Sequence, residues 1–385
     1  MQRYSNSITA LIAMMPVFCF MPVAARGQPA EESLERLKTW LARAWEEAQA
    51  LPSIDGASLR WRVEDRFVPP PAELDALRRE VAGKPDHPKR PHLNIYERRL
   101  RDGPDVVHYE LWLDGNDRWR LNTNFPPGFL DGGYIDTAWA PGRAWKLAPR
   151  GLTIAEPEPQ TASAQTLLSS RSTFSAHVSK LLDGGMGVAG SMRLSHRAEP
   201  TLQGLHWSFI ASSEPTATGV RRRVRYSGDW DPDMGRGFVR SVEVVESPSS
   251  TRPSWQIDSW IYDSTLQRHV ASLVRYRAAG VDQQIVFEGA GAIPNGGMDA
   301  LTRIPSPGGT DPIRGRVDPP AVRDHRSGAT LIRDEEGRLR QVEVAGESLP
   351  LTSRGAPWRA IGVIALVATI LTMGVLWWAR RRSAS

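Results

Sequence analysis

Leu59-Arg60-Trp61-Arg62-Val63-Glu64-Asp65-Arg66-Phe67 alternates: residues 59, 61, 63 and 67 are apolar, and those between are mostly charged. Successive side chains of an extended chain point to opposite faces. A two-residue period of this kind therefore describes a half-buried antiparallel strand, one face on a core and the other in water. Just upstream the period is different. From Glu32 to Leu51, the residues Leu34, Leu37, Leu41, Trp45 and Ala48 recur at steps of three and four and form the stripe of an amphipathic helix. Glu31 and Glu32 suit the positive end of that helix, and Pro52 stops it. A helix packing on a sheet is the expected start of the fold.

Downstream, Ala72 to Val81 reads as a short charged helix, followed by a Pro/Lys/His-rich loop through Pro91. Strands are then expected at Leu93–Arg101, Val106–Leu113 and Asp117–Asn124, with turns at Asp102-Gly103 and Asp114-Gly115-Asn116. Tyr134–Ala140, Ala144–Ala148 and Leu152–Ala155 continue the meander through Pro141-Gly142 and Arg150-Gly151. Glu156 to Ser172, rich in Pro, Ser, Thr and Gln, reads as a surface loop or internal boundary. Phe174 to Leu182 reads as a helix with Val178, Leu181 and Leu182 on its apolar side, ended by Gly184-Gly185. A second run of strands covers Leu202–Ala211, Val220–Tyr226, Gly237–Glu246, Trp255–Tyr262, Gln267–Ala278 and Gln283–Glu288. Pro294 to His325, rich in Gly, Pro and Asp, reads as an irregular covering loop or stalk, and Thr330–Val344 as a last hairpin around Glu335-Glu336-Gly337.

Both ends speak of a membrane. Arg3, the apolar run Ile8–Phe20 and the small residues Val23-Ala24-Ala25 read as a secretory signal, residues 1–25, cleaved after Ala25. The only cysteine, Cys19, lies inside it, so the mature chain would hold no disulfide, no thiolate metal site and no cysteine nucleophile. At the other end, Ala360 to Ala379 holds no charge and is followed by Arg380-Arg381-Arg382. Twenty helical residues at about 1.5 Å each span roughly the 30 Å of a bilayer core. A transmembrane helix is expected at 358–379, with Trp377 and Trp378 as an interfacial belt and 380–385 in the cytoplasm. The exported, mostly-β body is then 26–290, as one domain or as halves 26–156 and 173–290, and 291–357 is loop or stalk. Leu349-Pro350-Leu351-Thr352-Ser353 resembles a sortase signal with Ser353 where that motif has Gly, and a retained anchor is expected.

The stretches that might carry chemistry reduce to structural readings. Gly185-Met186-Gly187-Val188-Ala189-Gly190 fits the letters GxGxxG, but a helix precedes it where a dinucleotide site needs a strand. Asp229-Trp230-Asp231-Pro232-Asp233-Met234-Gly235 resembles a calcium loop, yet its Gly comes one place late and Arg240 stands where a bidentate Glu is needed. A turn between strands is the expectation there. Arg221, Arg222, Arg223 and Arg225 form the densest basic cluster of a chain whose net charge is +5. In an exported protein that cluster argues for a solvated strand or contact with anionic lipid or polymer, and against nucleic acid. His87 and His92 share a loop with Asp86 without the spacing of a metal helix. Asp55, Glu64 and Asp65 are paired carboxylates that sequence alone cannot place. No GxSxG elbow or Ser/His/Asp ordering is present, so no catalytic residue, metal or cofactor is expected. Of the fourteen tryptophans, Trp61, Trp112, Trp119, Trp139, Trp145, Trp207, Trp255 and Trp260 fall on expected strands, where they fill a core or line an apolar cavity.

Tyr109-Glu110-Leu111-Trp112-Leu113-Asp114-Gly115, Arg118-Trp119-Arg120-Leu121, Asp136-Thr137-Ala138-Trp139 and Trp145-Lys146-Leu147 repeat a pattern of strand, turn and aromatic. Behind an amphipathic helix, this resembles the periplasmic lipoprotein-binding half-barrels of the LolA, LolB and RseB group, over Glu32 to Ala155 and more loosely to Glu288. The resemblance implies a curved antiparallel sheet that wraps over helices and shelters acyl chains. This chain departs from it in being longer, in its C-terminal span and in lacking the lipid-bearing N-terminal cysteine of the receptor, and a shuttling carrier would have to leave the membrane. The expected fold class is mainly β (α+β): a curved antiparallel sheet or half-barrel, an N-terminal amphipathic helix and one transmembrane helix. The expected role is non-enzymatic binding of an apolar or lipidated ligand, a lipoprotein or an envelope protein partner, with a polymer hydrolase or a structural surface protein as rivals.

Overall fold

The alternating stretch becomes β1 (Ala57–Asp65), and it lies in the middle of the sheet. The computed structural model describes residues 30–342 except 49–53, 55, 115–117, 127–132, 157–160, 187, 190–191, 216–220 and 246–252. Before β1 comes α1 (Ala30–Ala48), the amphipathic helix read from the sequence, with Leu37, Leu41 and Trp45 buried. After β1 come α2 (Pro71–Val81) and α3 (Arg90–Asp102). The meander follows: β2 (Asp105–Asp114), β3 (Arg118–Asn124), β4 (Tyr134–Ala140), β5 (Arg143–Ala148) and β6 (Gly151–Ala155). A long helix, α4 (Ala162–Asp183), leads to four short strands, β7 (Val188–Ala189), β8 (Met192–Arg193), β9 (His196–Arg197) and β10 (Thr201–Gln203). The second meander is β11 (His206–Ser212), β12 (Arg223–Asp231), β13 (Arg236–Val244), β14 (Ser254–Asp263), β15 (Arg268–Ala278) and β16 (Val281–Ala292). The chain ends in α5 (Gly297–Thr302), β17 (Thr310–Asp311), β18 (Gly315–Arg316), β19 (Ala321–Asp324), β20 (Ala329–Arg333) and β21 (Leu339–Val342).

The two meanders are two halves of one sheet, and β1 is the seam. Trp61 faces Tyr109 of β2 on one side and Phe287 of β16 on the other. From β2 the sheet runs through β3, β4 and β5 to β6, and from β16 back through β15, β14, β13 and β12 to β11. All these pairings are antiparallel. Beyond β6 the chain adds β19 in parallel, then β20 and β21, the last hairpin. The result is mainly β, a curved antiparallel sheet with few helices.

The two-residue period sorts the aromatics onto two faces. The inner face carries Leu59, Trp61, Trp119, Trp139, Trp207, Tyr226 and Trp255 and is covered by α1 and α4. The outer face of β4 to β6 carries Ala138, Trp145 and Leu147, packed under Val317 and Val322. Trp112, also outward, sits under Met298 and Leu301 of α5. The Gly/Pro-rich segment after 293 is thus a cover of the outer face that contains its own short helix and strands.

Two expectations give way. Leu93–Arg101 forms most of α3 and not a strand. Of its apolar residues, Leu93 and Tyr96 are three apart and pack against Leu74 and Val81 of α2, while Leu100 is exposed. Pro91 suits the first turn, and Gly103, at φ 91°, ends the helix where a hairpin turn was expected. Glu156–Ser172 is largely not a loop, because α4 begins at Ala162 and Thr161 caps it by accepting from Ala164 N–H at 3.3 Å. The reading Phe174–Leu182 captured only its second half. Among the described residues no helix is long and apolar enough to cross a membrane. The signal at 1–25, the Leu349–Ser353 motif and the span at 358–379 lie outside the described residues.

Candidate functional site: the aromatic layer beneath α4

α4 crosses the strands and touches both halves of the sheet. Phe174 meets Trp119 of β3 edge-on at 5.2 Å between ring centres. About one turn later His177 lies against Trp61 and Tyr109, which stack on each other at 5.2 Å across the β1–β2 pairing. Trp61 donates its indole N–H to His177 Nδ1 at 3.3 Å. Burial, with the Lys180 charge adding to it, lowers the His177 pKa to about 3. The ring is therefore neutral at ordinary pH, and Trp61 fixes Nδ1 as the acceptor.

The next turn places a lysine in the same layer. Lys180 is buried, with Nζ 5.0 Å from the Tyr276 ring centre and 5.4 Å from that of Trp255. Its hydrogen bond among the described residues runs to the Ala176 carbonyl at 3.2 Å. Burial lowers its pKa to about 8, which the nearby Asp183 opposes. Two aromatic faces hold the ammonium in place of a carboxylate.

Asp183 closes the row. One of its oxygens accepts from Ser179 Oγ at 2.9 Å, Gly185 N–H at 2.8 Å and Met186 N–H at 3.2 Å. Burial still pushes its pKa up to about 7 against these donors and the nearby Arg268. The sheet finishes the helix end: Trp255 Nε1 donates to the Gly184 carbonyl at 2.9 Å and Tyr226 to that of Gly185 at 3.0 Å. The GxGxxG letters thus begin as the expected helix stop, with Gly184 and Gly185 at φ 72° and 75°.

α1 covers the neighbouring strands. Trp40 leans on Trp207 and Trp230 at 6.0 and 6.4 Å, and Trp207, Phe209 and Tyr226 stack in succession at 5.9 and 4.9 Å. Two indole N–H groups buried in the layer, those of Trp119 and Trp230, meet no acceptor of the described chain. The arrangement is an apolar, aromatic slab holding three titratable groups on one helix.

The other stretches singled out in the sequence serve structure. Asp231 caps the β12–β13 turn by accepting from the N–H groups of Asp233 and Met234, and Asp229 bonds His206 at 2.7 Å and Arg240 at 2.6 Å. Those aspartates are engaged by hydrogen-bond donors, as a turn requires. His87 accepts from Lys89 N–H at 3.2 Å in the α2–α3 loop. Glu64 is held by Arg62 and Arg66, and Asp65 by Arg99 at 2.8 Å, while Asp55 lies outside the described residues. Trp112 and Trp145 belong to the outer face, so the tryptophan set is divided. His177, Lys180 and Asp183 drew no attention in the sequence, although a Lys and an Asp three apart beside Leu181 and Leu182 were the available signal.

No family model and no curated protein matches the chain. Solved structures similar to it include a LolA superfamily protein from Nitrosomonas europaea, at 11% identity and a TM-score of 0.32 over 66% of this chain and 93% of that one. A DUF1329 family protein from Desulfovibrio piger is similar at 9% identity and 0.32, over 72% and 98% of the two chains. LprF from Mycobacterium bovis is similar at 8% and 0.23, over 73% and 99%. A LolA superfamily protein is thus among the solved structures similar to this chain.

Proposed function

We propose that this chain is a membrane-tethered, non-enzymatic binding protein of the cell envelope. It takes an apolar or lipidated ligand, or an apolar segment of a protein partner, between α4 and the inner face of the sheet. One observation carries the reading: α4 lays His177, Lys180 and Asp183 against an otherwise apolar aromatic surface. Buried ionisable groups weaken the seat of the helix that bears them. These groups loosen the seat of α4 relative to an all-apolar helix, and the aromatic surface beneath it suits an acyl chain. A dozen methylenes, at about 0.8 kcal/mol each, gain on the order of 10 kcal/mol when buried. The indole N–H of Trp119, which meets no acceptor among the described residues, would serve an ester or amide carbonyl. Export and tether rest on the sequence of residues 1–25 and 358–379.

The body 26–355 contains every described strand and helix and is the material for the test. Native mass spectrometry with lipid extraction should find acyl ligand, and brominated palmitate should quench its tryptophan fluorescence saturably. A body that purifies empty and whose fluorescence brominated palmitate leaves unchanged overturns the reading.

A further inference from the structure

Three consecutive hairpins of the second meander turn at one end of the sheet. β11 begins there, β12 ends, β13 begins, β14 ends and β15 begins, so residues 204–205, 232–235 and 264–267 are neighbouring tips. Four of the seven large apolar side chains exposed among the described residues belong to this end: Leu205, Met234, Ile261 and Tyr262. Apolar residues scattered singly over a surface ask for no explanation, whereas a group on adjacent hairpins marks a contact surface. The first meander is closed differently at the same end. Arg118 of β3 and Arg143 of β5 both bond Asp299 of α5, at 3.2 and 3.1 Å, and Trp112 lies under Met298. The basic cluster lies toward the other end, where Arg225 of β12 faces Glu243 of β13 at 3.8 Å, as on a solvated strand.

Each tip is held by bonds of its own. Asp231 accepts from the N–H groups of Asp233 and Met234, and Asp263 accepts from those of Thr265 and Leu266, both at 2.9 Å. The Leu205 carbonyl accepts from Trp230 N–H at 2.7 Å. Turns whose backbone groups are already paired enter a layer poor in water at low cost. The aspartates of the tips are offset by Arg36, which donates to the Pro232 carbonyl at 3.0 Å, and by Arg236 and Arg268 at the first positions of β13 and β15. Apolar side chains ringed by charges of both signs fit the interface of a bilayer, where tyrosine and aliphatic groups enter and long charged side chains stay among the headgroups.

The path of the chain names the occupant. β6 ends at this end of the sheet, β19 runs parallel to it, and β20 and β21 follow antiparallel, so Val342 leaves the sheet heading the way the tips point. Residues 343–357, between Val342 and the expected span, reach at most roughly 50 Å. The tether thus starts from the end that carries the exposed apolar tips, and it keeps the body close to the bilayer.

We propose that the tips carrying Leu205, Met234, Ile261 and Tyr262 insert into the facing leaflet of the membrane and dock the body on a lipid surface. The inference rests on the tether proposed above and is separate from the acyl-binding reading.

Residues 26–385 hold no cysteine and so take a label at one added position. This mature chain, reconstituted in phosphatidylcholine vesicles, receives an environment-sensitive nitrobenzoxadiazole label at Met234→Cys, at Tyr262→Cys or at Leu100→Cys. Leu100, at the opposite end of the sheet, is as exposed as Tyr262, 58% against 59%. Labels at 234 and 262 should shift to the blue and be quenched about twofold or more by nitroxide-bearing lipid, as side chains about 5–10 Å deep in the interface are, while the label at 100 is not. Carbonate washing reads the tether by itself. A chain that washes off overturns the tether and this docking together, whereas a chain that stays while its labels at 234 and 262 are quenched no more than that at 100 overturns the docking alone. A blue shift that nitroxide lipid leaves unquenched and that grows with protein density places a second copy on the tips, and it too overturns the proposal.

Discussion

Asp183 and Lys180 sit three residues apart on one helix, and burial moves both toward their neutral forms. An acid whose pKa is higher folded than unfolded binds more protons in the folded state. The stabilisation tied to the Asp183 proton is whole below about pH 4 and is lost as the pH rises through 7. Lys180 acts in another window: its burial costs stability while charged, and that cost fades from pH 8 up to the ordinary lysine range at about 10.4. His177, held down to about 3, makes stability rise with pH from about 3 to 6.5, opposing Asp183 over most of that range. Asp183→Asn isolates one contribution, because it keeps an oxygen for Gly185 and Met186 while removing the charge. Urea unfolding of variant and wild type should show the variant gaining relative stability between pH 4 and 8, by at most about 4 kcal/mol. An equal difference at both pH values would mean that the Asp183 carboxyl ionises no differently folded and unfolded.

At the scale of elements, the end of α4 is where sheet and helix lock. A Cβ on Gly185 would lie 2.7 Å from Trp255 Cζ2, and the residue sits at φ 75°. Gly185→Ala therefore meets both a left-handed backbone, at about 1–2 kcal/mol, and overpacking, at about 1–3 kcal/mol. A loss of roughly 2–4 kcal/mol in unfolding free energy is expected, with near-ultraviolet dichroism reporting displaced tryptophan; a loss below about 0.5 kcal/mol would show that the indole is free to move. Much of this scale was legible in the sequence. The strands around Trp61, Trp119 and Trp207 alternate cleanly, and α1 shows an unbroken stripe, because each keeps its large apolar side chains on the one face that meets the inner core. Reading failed where the local signal was mixed. Leu93 and Ile95 mimic a two-residue period, and only α2, packed against Leu93 and Tyr96, reveals a helix. Polar residues 162–172 hide the first turns of α4, whose cap is a single threonine. The site itself was not legible, since His177, Lys180 and Asp183 gain their character from strands far away in the chain, such as those of Trp61, 116 residues from His177, and of Trp255 and Tyr276.

For the whole molecule, the outer face decides whether residues 293–342 stand apart or belong to the sheet. Arg120 is fully buried and reaches Asp311 with two bonds of 2.8 Å, Asp136 at 3.1 Å and the Leu301 carbonyl at 3.3 Å. Arg314 comes back from the cover to Asp136 at 2.8 Å and Asn122 at 2.8 Å, with its guanidinium 4.1 Å from the Tyr134 ring centre. Two arginines and two aspartates thus bridge cover and sheet in both directions, and Trp145 adds its indole bond to the Thr302 carbonyl at 3.0 Å. Removing one member leaves a buried charge without its partner, which costs about 3–5 kcal/mol. Arg120→Met strands Asp311, which still has the N–H groups of Ile313 and Arg314, and leaves Asp136 to Arg314 alone. The variant should lose about that amount in urea unfolding. Trypsin should then cut at Arg303, Arg316 and Arg323 before it attacks the strands of the second meander, whereas the wild type resists at all of them. A stalk merely lying on the sheet would behave otherwise: cleavage at those arginines would already be fast in the wild type, and Arg120→Met would leave the unfolding of the remaining body unchanged.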